Sequence, residues 1–274
     1  MVFITGAGSG LGRALSVAAG YRGARVLVSD IDETAMATTA RLVQEAGGTP
    51  MLRRLDTRDA ATWSTLCDEL YATWGRCDLL VNNAGVGAAG PVGEASLEDW
   101  RWVVDINLNG VLYGCRAFAP RMKRDGRGTI VNVASIAAFA RAPMMGAYNV
   151  SKAAVVALSE TLRAECLSHG VGVTVVCPSF FRTNIGRSSR VAPGMASMDM
   201  GRLVDESRIP ASDIAQAILQ AVEAGRPYVV PQTDAKVMWW LRRLAPAKAN
   251  VLLAKGSKLV LSRMRRRHRS GRDA

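Results

Sequence analysis

The chain has 274 residues, 49% hydrophobic and 21% charged, enough for one large domain with a real core. This excludes a disordered, collagen-like or disulfide-stapled protein. The formal net charge of +12 points first to nucleic acid or anionic membrane, but twelve of the 35 Lys and Arg lie from Lys236 onward, where Asp273 is the one acid.

That stretch nets +11, and the 23 bases and 22 acids before it leave +1. The body is close to neutral and the basicity is a tail. Strands are predicted at residues 2–5, 25–29, 49–55, 79–82, 129–134, 171–177 and 228–231, with helices at 11–21, 33–46, 60–74 and 148–169. Near-continuous apolar strands separated by helices predict a parallel sheet covered on both faces. The expected fold is α/β: a single doubly wound, Rossmann-like domain over residues 1–231. Residues 179–208, rich in Arg, Ser and Met, form an irregular substrate loop, and 232–274 form a basic amphipathic C-terminal extension.

Cys67, Cys77, Cys115, Cys166 and Cys177 form no CxxC pair and no metal-like cluster with the two histidines. They read as reduced, buried thiols of a cytoplasmic protein without a metal. A basic n-region followed by an apolar h-region is absent, so no signal peptide is expected. No run reaches the roughly 18 apolar residues of a spanning helix. The expectation is a soluble protein, at most attached to a membrane surface.

After the first strand comes Thr5-Gly6-Ala7-Gly8-Ser9-Gly10-Leu11-Gly12. A strand running into a glycine-rich turn that opens a helix suits a pyrophosphate: backbone can approach the phosphates, and the helix start offers free N–H groups. Gly6, Gly10 and Gly12 fit T-G-x-x-x-G-x-G rather than G-x-G-x-x-G. Asp30, 18 residues past Gly12 at the end of the second strand, is placed to accept hydrogen bonds from the adenosine ribose and to repel a 2′-phosphate. Its other reading is a cap on the following helix. Ser9 and Ile31 add no positive charge there, so NAD(H) is expected over NADP(H).

Farther on, Asn82-Asn83-Ala84-Gly85 ends the fourth strand, and Asn107 sits within Asp105-Ile106-Asn107-Leu108-Asn109-Gly110. Ser135 ends the fifth strand. Tyr148 and Lys152, four residues apart, share one face of a helix. With the glycine-rich turn, Asp30, and Asp56 after the third strand, these motifs make the chain resemble the short-chain dehydrogenase/reductase family from its first residues to about Pro231.

The resemblance implies a nicotinamide-dependent oxidoreductase interconverting an alcohol and a ketone or aldehyde. It implies a catalytic tetrad of Asn107, Ser135, Tyr148 and Lys152, and cofactor contacts from Gly6, Ser9, Gly10, Leu11, Gly12, Asp30, Asp56, Asn83, Ala84, Gly85, Tyr148, Lys152, Pro178 and Thr183. Tyr148 would be the general acid or base, its phenol drawn below its ordinary pKa of about 10 by Lys152 and the oxidised nicotinamide. Ser135 would orient the substrate oxygen, and Asn107 would anchor a water. A homodimer or homotetramer is also implied. Where the family has Pro-Gly, this chain has Pro178-Ser179.

The loops after the fifth and sixth strands hold Ile136, Phe139, Pro143, Met144 and Met145, then Phe180, Phe181, Met195, Met198 and Met200. This adaptable apolar set favours a bulky hydrophobic substrate. Arg141, Arg182, Arg187 and Arg190 offer the alternative of an acidic group such as an acyl carrier or coenzyme A. In the extension, residues 237–241 contain Trp239 and Trp240 beside Arg242 and Arg243. Pro246 and the apolar, basic stretch 251–264 follow, then Arg265 to Arg269. This pattern suits an anionic membrane surface and lacks the interleaved aromatics of a base-stacking platform, so nucleic acid is not the expected partner. Two rival readings are an NADP-linked carbonyl reductase, and a non-catalytic NAD-binding scaffold protein acting through its basic tail.

Overall fold

The computed structural model describes residues 1–186, 188–192, 207 and 209–253. Its strands are β1 (Val2–Thr5), β2 (Arg25–Asp30), β3 (Thr49–Arg54), β4 (Leu79–Asn82), β5 (Ala88–Ala89), β6 (Thr129–Val133), β7 (Gly172–Val176), β8 (Arg190–Val191) and β9 (Tyr228–Val229). Seven of them form one sheet in the order β3-β2-β1-β4-β6-β7-β9, and β5 pairs with β8 separately. All pairings are parallel. The seven sheet strands are the seven expected from the apolar runs.

Helices α1 (Gly10–Gly20), α2 (Glu33–Glu45) and α3 (Ala60–Trp74) join the first strands. Asp32 and Asp59 cap α2 and α3, accepting hydrogen bonds from Ala35 N and from Ala61 N and Thr62 N, as short polar side chains do at helix starts. Then come α4 (Leu97–Val104), a π-turn (Asp105–Asn109), α5 (Gly110–Asp125), α6 (Ala137–Ala140) and α7 (Gly146–Cys166), followed by α8 (Ala211–Glu223) and α9 (Thr233–Leu244). The spacing of Ile214, Ile218, Leu219 and Val222 could have shown α8 as an amphipathic helix.

Successive side chains of each strand feed opposite layers. Phe3 and Ile130 pack with Trp63, Phe118 and Val155 from α3, α5 and α7. Their neighbours Ile4 and Val131 pack with Leu15 of α1 and Ile218 of α8. Each fully buried side chain of this size contributes about 1.5–3 kcal/mol. All five cysteines are buried and unpaired, and burial pushes the Cys115 and Cys177 thiols up to about 12.

Strand order reverses direction between β1 and β4, and in open parallel sheets the crevice at the carboxyl ends of such strands binds ligands. Beyond β9, α9 lies back on the domain: Ala235 is buried and Trp239 packs against Phe139 of α6 at 6.5 Å and Tyr228 at 5.6 Å between ring centroids. Residues 246–253 are again helical. Arg187, Met195, Met198, Met200 and the basic stretch from residue 254 on lie outside the described residues.

Candidate active site

The turn after β1 and the loop after β4 are fastened together. Thr5 Oγ1 accepts from Asn83 N and Ala84 N, both at 3.0 Å, and Asn83 Nδ2 donates to Thr5 O at 2.8 Å. Gly6 has φ +61°, and a Cβ there would lie 2.8 Å from Ala84 Cα, so the turn can approach only without a side chain. At Gly12 a Cβ would come within 2.1 Å of Gly6 O. Gly12 therefore sets how closely α1 sits under the turn, and Gly10, with φ +49°, lets the chain enter that helix. The first turn of α1 carries no acid, which leaves its positive dipole end available to an anion.

Asp30 ends β2 beside this turn. Its carboxylate accepts from Gly8 N at 2.8 Å, Ile31 N at 2.7 Å and Asp32 N at 3.2 Å. The cap on α2 is Asp32 instead, so Asp30 does not act as that cap. Asp56 lies on the same cleft but is paired with Arg58, whose Nη2 is 2.5 Å from Asp56 Oδ2 and whose Nε donates to Oδ1 at 2.9 Å. The guanidinium holds the Asp56 carboxyl below the usual carboxylate range. Arg58 was not expected at the site, although its place two residues after an acid is a signal for such a chelate.

From Gly6, Ser9, Leu11 and Asp30 a cleft of about 650 Å³ runs past Asn83, Ala84 and Gly85 to Ser135, Tyr148, Lys152, Pro178 and Thr183. Ser135 follows β6 and accepts from Ala137 N at 3.1 Å, which starts α6. Tyr148 and Lys152 stand one turn apart on α7, 9% and 3% exposed. Lys152 Nζ lies 5.9 Å from the centre of the Tyr148 ring and donates to Val133 O at 2.9 Å. Burial lowers the Lys152 ammonium to about 8. Burial also pushes the Tyr148 phenol up, against a hydrogen bond with Ser135 that pulls it down. The expected depression of Tyr148 is therefore not produced by the protein's own groups.

Asn107 is fully buried in the π-turn, where Gly110 N reaches back to Asp105 O. Single π-turns of this kind often mark functional positions in helices. Its amide is spent on protein: Oδ1 accepts from Val86 N at 2.8 Å, and Nδ2 donates to Val86 O at 3.0 Å and Ser151 Oγ at 3.3 Å. Asn107 thereby ties the loop after β4 to α7. A Cβ on Gly85 would lie 3.1 Å from Asn107 Oδ1 and 3.4 Å from Lys152 Nζ, so these three residues converge.

Among the described apolar candidates, Ile136, Met145, Phe180 and Phe181 line the cleft, joined by Trp102, Ile106 and Ile185, which the sequence did not reveal. Phe139 is a correction: it is buried in the core, because α6 turns it toward Trp239. Pro143 and Met144 do not line the cleft, and neither do Arg141, Arg182 and Arg190. Arg190 is spent on Asp99 at 3.0 Å and stacks over Trp102 at 4.3 Å. Ser179, in the position of the family's glycine, is not among the described non-glycine residues with positive φ.

The glycine cradle, the acid-free helix start, the anchored carboxylate and a cleft continuous to Lys152 fit a dinucleotide with a reactive end. Comparison with known proteins bears on its kind. The family model for short chain dehydrogenases matches residues 1–194. The chain is 36% identical to the "Probable oxidoreductase EphD" of Mycobacterium tuberculosis over 90% of its own length and 43% of that protein's, so it spans less than half of this relative. A short chain dehydrogenase/reductase from Burkholderia phymatum, solved in complex with NAD, superposes with a TM-score of 0.84 at 34% identity, covering 88% of this chain and 92% of that one. A short-chain dehydrogenase from Sphingobium yanoikuyae, solved with NADPH, gives a TM-score of 0.75 at 26% identity over 92% and 94%.

Proposed function

Because the chain belongs to the short-chain dehydrogenase family, whose members are oxidoreductases acting on CH–OH groups, we propose that it interconverts a hydrophobic alcohol and its ketone or aldehyde with NAD(H), using Tyr148 as general acid and base. The observation that carries this reading is the meeting of Ser135, Tyr148 and Lys152 at one end of the cleft that holds Asp30 at its other end.

When bound, the nicotinamide supplies or accepts the hydride. The Ser135 hydroxyl hydrogen-bonds and orients the reacting oxygen, and the Tyr148 phenol exchanges a proton with it. In reduction Tyr148 acts in its neutral form, the form that burial favours. In oxidation it must first lose that proton, which the hydrogen bond with Ser135 favours against burial and the positive charge of a bound oxidised nicotinamide would favour further. Lys152 also has donors to hold ribose hydroxyls. Asn107 acts through Val86 and Ser151, keeping the loop after β4 and α7 in register. A panel of alcohols and ketones with NAD(H) and NADP(H), read by nicotinamide absorbance, tests the reading. Activity confined to small hydroxy acids would overturn the substrate class, and its absence with every pair would overturn the reaction.

The preference for NAD rests on Asp30, whose charge is fixed in place by three backbone N–H groups. The nearby cation on the cleft, Arg58, is already paired with Asp56 and so is not free for a 2′-phosphate. Comparable kcat/KM for the two cofactors would refute the preference. The hydrophobic substrate is supported by Ile136, Met145, Phe180 and Trp102 on the cleft wall. We take residues 1–231 as the catalytic unit, assembled as a homodimer or homotetramer in keeping with its family, which light scattering of the purified protein tests.

Among the described residues, no helix is long and apolar enough to cross a membrane. We infer instead that the extension seats the enzyme on an anionic membrane surface. Val237, Trp240 and Leu244 form a helical stripe, 61%, 54% and 78% exposed, with the exposed cation Lys236 beside it and Lys248 following the helix. A second copy seated on the same stripe would bring like charges together, whereas anionic headgroups neutralise them. Salt-sensitive co-sedimentation with anionic vesicles, lost in Trp240→Glu, is expected. Dimerisation through the stripe without vesicle binding would refute it.

A further inference from the structure

Ser179 stands where the family has glycine, and the structure gives its side chain and its N–H two partners at the start of α9. Gln232 is the residue before the first turn of α9, yet its side chain makes no cap hydrogen bond to that helix. Instead its Oε1 accepts from Ser179 N at 2.9 Å and its Nε2 donates to Phe180 O at 3.4 Å. Gln232 is buried, and a buried amide left without such partners would cost stability. Two residues on, Asp234 Oδ2 accepts from Ser179 Oγ at 2.5 Å. A glycine at position 179 would have no hydroxyl to offer, so this bond exists only because the chain departs from the family's pattern there.

The same helix reaches the neighbouring loop, where Trp239 packs against Phe139 of α6. The two loops are also joined directly, Ile136 N donating to Pro178 O at 2.9 Å. The segment Pro178 to Thr183 is thus held by the start of α9 while Pro178, Ser179, Phe180, Phe181 and Thr183 line the cleft. Helix-dipole compensation alone would explain an acid in the first turn of α9. It does not explain why the Gln232 and Asp234 side chains point to the same serine and its neighbour.

We propose that Gln232 and Asp234 are positioning residues, which hold the segment Pro178 to Thr183 through Ser179 and so set the wall of the cleft at its reactive end. The extension then contributes to the site as well as to surface attachment. The proposal rests on the dehydrogenase reading above only in its kinetic consequence. The clasp itself is a property of the chain.

Four variants of the full-length protein test it: Asp234→Ala, Asp234→Asn, Ser179→Gly and the Asp234→Ala/Ser179→Gly pair. Asp234→Ala and Ser179→Gly should each weaken NADH binding, followed by fluorescence, and raise the KM for the alcohol by about five-fold with kcat little changed. Asp234→Asn keeps an acceptor and should stay within about two-fold of the parent. The double variant should be no worse than either single one, because both remove one interaction. Amide hydrogen exchange over residues 178–183 should speed up in the Ala and Gly variants while the β-sheet core exchanges as before. Parental exchange rates in Asp234→Ala, or losses that add in the double variant, would overturn the proposal. Failure of the parent to bind either reduced cofactor would overturn the dehydrogenase reading instead, and the exchange rates would still decide the clasp.

Discussion

At one end of the cleft, Asp30 is fixed by three backbone N–H groups from two short stretches, Gly8 and Ile31 with Asp32. At the other end, Ser135, Tyr148, Lys152 and Thr183 come from a strand end, a helix and a loop, and that loop is held by Asp234, 55 positions from Ser179. The Asp30 anchor forms once β1 and β2 are paired, since its donors lie in the turns that follow these two strands. The other end exists only when several distant elements have docked. The two ends also differ in electrostatics. Asp30 is half-buried and held by backbone N–H groups, whereas Lys152 is 3% exposed and carries its charge against a desolvation cost.

The sharpest way to separate the two ends is Tyr148→Phe. It should lower kcat by about 10³ while NADH affinity measured by fluorescence stays within about two-fold, since general acid–base catalysis is worth that much and the ring's packing is retained. Persistent turnover would remove Tyr148 from the chemistry. Gly12→Ala attacks the other end through geometry. With a Cβ 2.1 Å from Gly6 O, it should cost about 3 kcal/mol of stability by urea unfolding, and unchanged stability would show that α1 can retreat from the turn.

Next in size, Asp30→Ala should shift the NAD-to-NADP ratio of kcat/KM by roughly 10², with kcat for the preferred substrate little affected. A loss equal for both cofactors would mean that Asp30 shapes the turn without choosing the cofactor. The smallest effect is a gain. Burial lowers Lys152 from 10.5 to about 8, so the native state resists its protonation and the cost is fully present below about pH 8. The unfolded chain binds more protons between about pH 8 and 10.5, so this cost fades as pH rises through that window. Lys152→Met should therefore be inactive yet more stable than the parent by about 2 kcal/mol at pH 7, an advantage that shrinks toward pH 10. The thiols of Cys67, Cys77, Cys115 and Cys166 cancel in the difference, whereas Cys177, which the Lys152 ammonium draws down against burial, loses that partner in the variant. An advantage independent of pH would show that Lys152 is not a strained charge.

Much of this molecule was legible before folding. The seven sheet strands follow from short apolar runs, since a strand covered on both faces tolerates no polar interruption. The glycine-rich turn and Asp30 were legible because their partners are near in sequence, and Tyr148 and Lys152 because four residues of helix bring them to one face. Phe139 was misread. Periodicity shows that a residue is apolar, not whether a ligand or Trp239 will cover it.

The sequence by itself determined the βα alternation, the dinucleotide-type turn, the spacing that matches the family and the confinement of charge to the extension. These are local patterns of side-chain type and backbone freedom. Tertiary structure alone decided that Asn107 spends its amide on Val86, that Trp102 and Ile185 wall the cleft, and that α9 grips Ser179. Each of these depends on which distant element is laid across which loop. That choice is made by the packing of whole layers, and no single segment records it.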